Sequence, residues 1–170
     1  MESSKNIVFV GMMGSGKSTI GLLLSKKLKK SFFDIDTYIE KELGKKISTI
    51  FKEKGEKFFR EYEEKITLKI LQKKNIVISI GGGAFLNKNI RLEVLKNHIS
   101  FWLKWNSKIL INRIKKNPKR PIAFNSTKGE LFDMVKKRSN FYSKAMYKIN
   151  CNNQTKTKII TKILKIYENN

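Results

Sequence analysis

The chain has 170 residues and a formal net charge of +23, from 37 lysines and arginines against 14 acids. That length suits one domain (1–170) whose core buries about two thirds of the unfolded surface, and a single cysteine excludes an internal disulfide. With no C-x-x-C pair or His cluster for zinc, no apolar run long enough for a membrane span and no cleavable leader pattern, the composition reads as a cytoplasmic protein whose metal, if any, is held by oxygen.

Hydrophobic periodicity gives strands and helices in alternation. Strands are expected at 6–10, 31–35, 76–80, 99–103 and 147–151. Helical patterns run at 17–29, 36–43 with a further turn near 48–54, 56–73, 88–96, 106–115, 129–145 and 155–168. Ile20, Leu23, Leu24 and Leu28 share one face of the first, and Phe59, Tyr62, Ile66 and Ile70 do so in the third. Strands joined through helices imply a parallel sheet covered on both sides, with ligands at the carboxyl ends of its strands. The stretch 115–128, which holds both prolines and little apolar periodicity, is expected to be a mobile lid. The lysines fall as doublets along the whole chain, the pattern of a solvated surface rather than a basic arm, so specific nucleic-acid binding is not expected; the non-enzyme alternative is a salt-sensitive nucleic-acid binder.

The segment GMMGSGKST at 11–19 follows the first strand and opens the first helix. Gly11-x-x-x-x-Gly16-Lys17-Ser18 is the P-loop spacing in its required context. Small residues let the main chain wrap a phosphate, consecutive N–H groups at a helix N-terminus face it, Lys17 adds a full positive charge and Ser18 can ligate magnesium. A nucleoside triphosphate is therefore the expected ligand. In FFDID, Asp34 and Asp36 stand two apart at a strand end and so project to one side, where one could serve a magnesium shell and the other accept a proton; Asp36 could instead cap the following helix. In FFREYEE, Glu63 and Glu64 lie at i+3 and i+4 from Arg60, placed to orient its guanidinium. Only five of the cations are arginines, at 60, 91, 113, 120 and 138, which hints that a planar two-pronged donor is wanted there. Gly81-Gly82-Gly83 after the third strand lets a ligand approach the main chain closely or forms an anion-receiving turn.

The ordered set GMMGSGKST, DID, FFR with a following glutamate, GGG, Arg120-Pro121 and Arg138 with Tyr142 resembles the shikimate kinase family over nearly the whole chain. The resemblance implies an α/β P-loop NTPase fold, nucleoside-monophosphate-kinase-like, with a five-stranded parallel sheet flanked by helices and a lid. It also implies ATP- and magnesium-dependent phosphorylation of the 3-hydroxyl of shikimate to shikimate 3-phosphate, in the chorismate and aromatic amino acid pathway, by a cytoplasmic monomer. Carried over by resemblance, Gly14, Ser15, Gly16, Lys17, Ser18 and Thr19 would bind the ATP phosphates, with Ser18 on magnesium and Asp34 holding it through water. Asp36 would bind shikimate hydroxyls and be the candidate base. Arg60, Gly82 and Arg138 would bind shikimate, Glu63 would orient Arg60, and Phe51 and Phe59 would be apolar walls. Arg120 would close from the lid onto the phosphates, giving Lys17, Asp36 and Arg120 as the catalytic set, and Arg113 matches the arginine beside adenine. The chain departs from the family's pattern at Ile122-Ala123, Asn117 and Asn140, positions of lid packing and helix shape rather than chemistry. Trp102, Trp105, His98 and Cys151 match no catalytic role. Other small P-loop kinases, for gluconate or nucleoside monophosphates, lack the combination of Asp36, Arg60, the triple glycine and Arg138.

Overall fold

The computed structural model describes residues 5–116 and 126–169. The run IVFV forms β1 (Ile7–Val10), and all four of its residues are buried, as expected of a central strand covered on both faces. The P-loop segment then leads into α1 (Lys17–Leu28). Next come β2 (Ser31–Asp34), α2 (Ile35–Leu43), α3 (Ile47–Leu71) and β3 (Ile76–Ser79). A short 3₁₀ turn (Ala84–Leu86), α4 (Lys88–Asn97), β4 (Ile99–Lys104) and α5 (Ser107–Lys115) follow. After residue 126 come α6 (Lys128–Tyr142), β5 (Tyr147–Asn150) and α7 (Lys156–Glu168). The strands pair only in parallel, in the order β2-β3-β1-β4-β5.

Two-residue alternation along β1 divides the core between the two faces of the sheet. Val8 and Val10 join Ile78, Ile39, Ile66, Ile70, Phe85 and Val94 on one side; Ile7 and Phe9 join Phe101, Leu24, Ile160 and Ile163 on the other. Each fully buried aliphatic or phenyl side chain contributes about 1.5–3 kcal/mol through removal from water. The edge strand β2 lacks this cover and is exposed to half-buried throughout. Because β1 lies between β3 and β4 while the chain visits β2 first, the connections from β1 and β3 depart to opposite sides. The crevice at their carboxyl ends is the switch point where α/β folds bind ligands.

The expected elements are all present: four of the strands are shorter than expected by one residue, and β4 runs one residue further, to Lys104. The turn near 48–54 and the helix 56–73 join as α3, broken by the non-helical Gly55 (φ 79°, ψ 170°). α6 stops at Tyr142 rather than 145, and His98 ends α4 as its C-cap. Of the expected lid, 117–125 lie outside the described residues; Thr127 on its far side opens α6 with a capping box, donating its N–H to Glu130 while its hydroxyl receives the Glu130 N–H.

A Cβ at Gly55 would meet nothing within 4 Å, so the demand for glycine there is one of backbone conformation alone. Gly55→Ala is expected to lower the unfolding free energy by about 1–3 kcal/mol, read from urea denaturation with an unchanged m-value.

Candidate active site

The phosphate cradle is set by how α1 begins. Gly16 is its N-cap, has no capping side chain and sits at φ 90°, and the first turn holds no acid. The first amides of the helix are thus left for an anion from outside the chain. The Ser15 hydroxyl, buried in the same loop, has no hydrogen-bond partner among the described residues. Lys17 folds back, donating to the carbonyls of Gly11 at 2.8 Å and Met12 at 3.1 Å, so its ammonium is held over the loop. Gly14, Ser18 and Thr19 are exposed on the same rim. An orphaned hydroxyl, open amides and a charged amine fit a polyphosphate.

Asp34 ends β2 and caps α2, accepting the Thr37 N–H at 3.1 Å, and its other oxygen receives the Ser18 hydroxyl. This corrects two readings of FFDID. Helix α2 starts at Ile35, so Asp34 is the cap, and Asp36 lies in the first helical turn rather than alternating with Asp34 along a strand. Ser18 and Asp34 offer hard oxygen ligands, and no group of three His, Cys, Asp or Glu side chains could hold a metal among the described residues. Such a pair suits magnesium, which keeps most of its waters and draws on substrate phosphates.

The second half of the site forms around the triple glycine. A Cβ at Gly81 would stand 2.9 Å from Asp36 Oδ1, and one at Gly83 only 2.5 Å from Arg60 Nη1. Asp36 and Arg60 therefore face this loop from α2 and α3 so closely that a side chain at Gly81 or Gly83 would have to push them aside. Arg60 Nη1 donates to Glu63 at 2.7 Å, and Arg60 Nε reaches Glu56 at 3.3 Å. Burial pulls the Arg60 pKa down, but the Glu63 and Glu56 carboxylates outweigh it and hold the guanidinium charged above its usual range. The same guanidinium lies over the rings of Phe51 and Phe59, which pack on each other with centroids 4.6 Å apart.

Gly82 joins the two halves. The place of its missing Cβ is 3.1 Å from the Met13 amide nitrogen, and Arg138 Nη1 lies 3.8 Å from the same point. The Tyr142 hydroxyl donates to the Gly82 carbonyl from α6, and burial pushes its pKa up to about 12. A cavity of about 310 Å³ opens here, lined by Glu56, Arg60, Glu63, Gly83, Leu86 and Arg138. A larger open groove along Leu22, Leu23, Phe32, Phe33 and Tyr38 reaches the centre only at Ser18 and Asp34 and lacks the paired guanidiniums.

Arg60 and Arg138 thus line one cavity, Asp36 faces the adjoining Gly81, Gly82 meets the P-loop at Met13, and Lys17 and Asp34 lie on the P-loop side, Asp34 through Ser18. Arg113 lies on the far rim of the P-loop, its Nη1 3.4 Å from the Gly14 carbonyl. Arg120 lies outside the described residues. Glu64, expected as a second partner for Arg60, instead binds the side chains of Asn87 and Asn89. Arg91 caps the 3₁₀ turn by donating to the carbonyls of Phe85 and Leu86. Sequence reasoning missed Glu56 and Trp105. Glu56 sits at i−4 from Arg60 and was legible from helical spacing; Trp105 meets the P-loop from 90 positions away, which no local pattern records.

The family model for shikimate kinase matches residues 13–168. A curated shikimate kinase of Persephonella marina is 39% identical over 160 residues, which cover 94% of this chain and 97% of that protein. The solved shikimate kinase of Acinetobacter baumannii, in complex with shikimate, superposes with a TM-score of 0.92 at 30% identity, covering 99% of this chain and 95% of that one. A deoxyadenosine kinase from M. mycoides, at 19% identity and a TM-score of 0.64 over 96% of this chain and 98% of its own, shares the P-loop kinase fold alone. A P-loop against a triple glycine, an arginine pair in one pocket and these matches along nearly the full length lead to one conclusion: the chain belongs to the shikimate kinase family.

Proposed function

We propose that this chain transfers the γ-phosphoryl group of ATP to the 3-hydroxyl of shikimate, with magnesium. The observation that carries this reading is the convergence of Arg60 and Arg138 on a pocket that abuts the P-loop through Gly82. A small polyhydroxy carboxylate needs a cation pair for its acid group and an acceptor for its hydroxyls, and the cleft offers both.

Arg60, held by Glu63 and Glu56, presents its remaining N–H groups to the shikimate carboxylate, and Arg138 takes the other side. Asp36 accepts hydrogen bonds from the ring hydroxyls and receives the proton that the 3-hydroxyl gives up as its oxygen bonds to phosphorus. That demand on Asp36 is modest, because a loose transition state leaves the nucleophile protonated until late. The amides of residues 14–19 hold the phosphates, and Lys17 leaves the Gly11 and Met12 carbonyls to neutralise charge that develops on the transferred group. Ser18, and Asp34 through a water, would hold magnesium, which would supply charge neutralisation at the phosphates. Arg120 and closure of the 115–128 segment are assigned to the phosphates by family resemblance. The chain acts as one kinase domain, 1–170, and as a monomer in the cytoplasm; among the described residues no helix is long and apolar enough to cross a membrane.

Coupled ADP release is expected with shikimate as acceptor and not with gluconate or nucleoside monophosphates; preferential turnover of either of those would overturn the substrate assignment. Lys17→Met is expected to cut kcat by about 10²–10³-fold or more while circular dichroism is unchanged, because the lost amine serves the transition state. Arg60→Lys is expected to raise KM for shikimate about 10- to 100-fold and leave KM for ATP within about twofold, since a lysine keeps the charge but not the fork. Equal loss for both substrates would mean that Arg60 only supports the fold.

A further inference from the structure

Trp105, the residue after β4, is half-buried where the two cores meet and packs on both. Its indole N–H donates to the Ser15 carbonyl at 2.8 Å, inside the P-loop. A trans peptide points its carbonyl and its N–H in opposite directions, so holding the Ser15 oxygen toward Trp105 aims the Gly16 N–H away from it. That peptide otherwise has little to keep it from flipping. Gly16 has no side chain, lies at φ 90°, and nothing stands within 4 Å of where a Cβ would be. The ring itself carries Arg113, whose guanidinium carbon lies 3.8 Å from the ring centroid and whose Nη1 is 3.4 Å from the Gly14 carbonyl. Asn106, next in the chain, donates its N–H to Asn152 Oδ1 at 2.8 Å, which ties this corner to the loop after β5.

We propose that Trp105 is a positioning residue for the nucleotide: its N–H locks the Ser15–Gly16 peptide with the amide turned to the phosphates, and its ring seats the Arg113 guanidinium at the mouth of the loop. One side chain thereby couples the phosphate cradle to the nucleoside side. The inference rests on the nucleotide site described above and adds a residue that touches no substrate.

Two variants separate the functions of the indole. Trp105→Phe keeps a ring under Arg113 and removes the N–H; Trp105→Leu removes both. ADP affinity, measured by isothermal titration without shikimate, is expected to fall about threefold to tenfold in the first and about tenfold to fiftyfold in the second. Shikimate KM should stay within about twofold in both. Arg113→Ala should cost clearly less ADP affinity when made on Trp105→Leu than on the parent chain, because the seat is already gone. Unchanged ADP affinity in Trp105→Phe, an Arg113→Ala cost that simply adds, or parallel losses of ADP and shikimate binding with a lowered Tm would each overturn the proposal. Should Trp105→Leu not fold, the phenylalanine variant carries the test alone. A parent chain that binds no ADP would instead defeat the nucleotide-site reading itself.

Discussion

The site depends on the contact between two glycine loops. The backbone at Gly82 lies against the Met13 amide so closely that a Cβ would stand 3.1 Å from it, and the neighbouring glycines admit Asp36 and Arg60 at similar range. The phosphate cradle and the acceptor pocket therefore share a wall of main chain at Gly82 and Met13. Proximity of this kind supplies much of the rate in phosphoryl transfer, where little covalent chemistry falls to the protein. The sheet order makes the contact possible, because β1 and β3 are hydrogen-bonded neighbours and their carboxyl ends deliver both loops to one edge.

Charge is distributed to match. In a chain of 37 cations and 14 acids, guanidiniums crowded into a cleft would repel one another and recruit anions without discrimination. Glu63, with its side chain only 3% exposed, and Glu56 offset Arg60 and fix its fork, while Asp36 lies across the same glycine loop. The result is a pocket with a directed cation pair and an acidic wall, suited to a ligand that carries one carboxylate and several hydroxyls. The remaining lysines are largely on the surface, as their scatter in doublets implied.

The nucleotide side is organised differently, by peptide direction more than by side-chain charge. Lys17 rests on the carbonyls of its own loop, Ser15 keeps a buried hydroxyl without a partner among the described residues, and Trp105 holds the intervening carbonyl from outside. Tyr142 does for the Gly82 carbonyl what Trp105 does for that of Ser15, each from an element far along the chain. Both loops are flexible by composition and are held by aromatic donors that belong to the packed core.

By itself the sequence determined whatever depends on neighbours in the chain. The P-loop, the Arg60–Glu63 pair and the alternation of strands and helices all follow from spacings of a few residues, where covalent geometry places side chains without help. It misled at FFDID, because a one-residue choice of where α2 begins transfers the cap from Asp36 to Asp34, and local preference scarcely separates the two. Only the tertiary structure decided that Arg138 and Arg60 line one cavity, that Glu64 turns to Asn87 instead, and that Trp105 reaches Ser15. Those contacts span tens of residues and exist because the strand order β2-β3-β1-β4-β5 stacks distant segments side by side, a consequence of packing two cores on one sheet that no short window of residues contains.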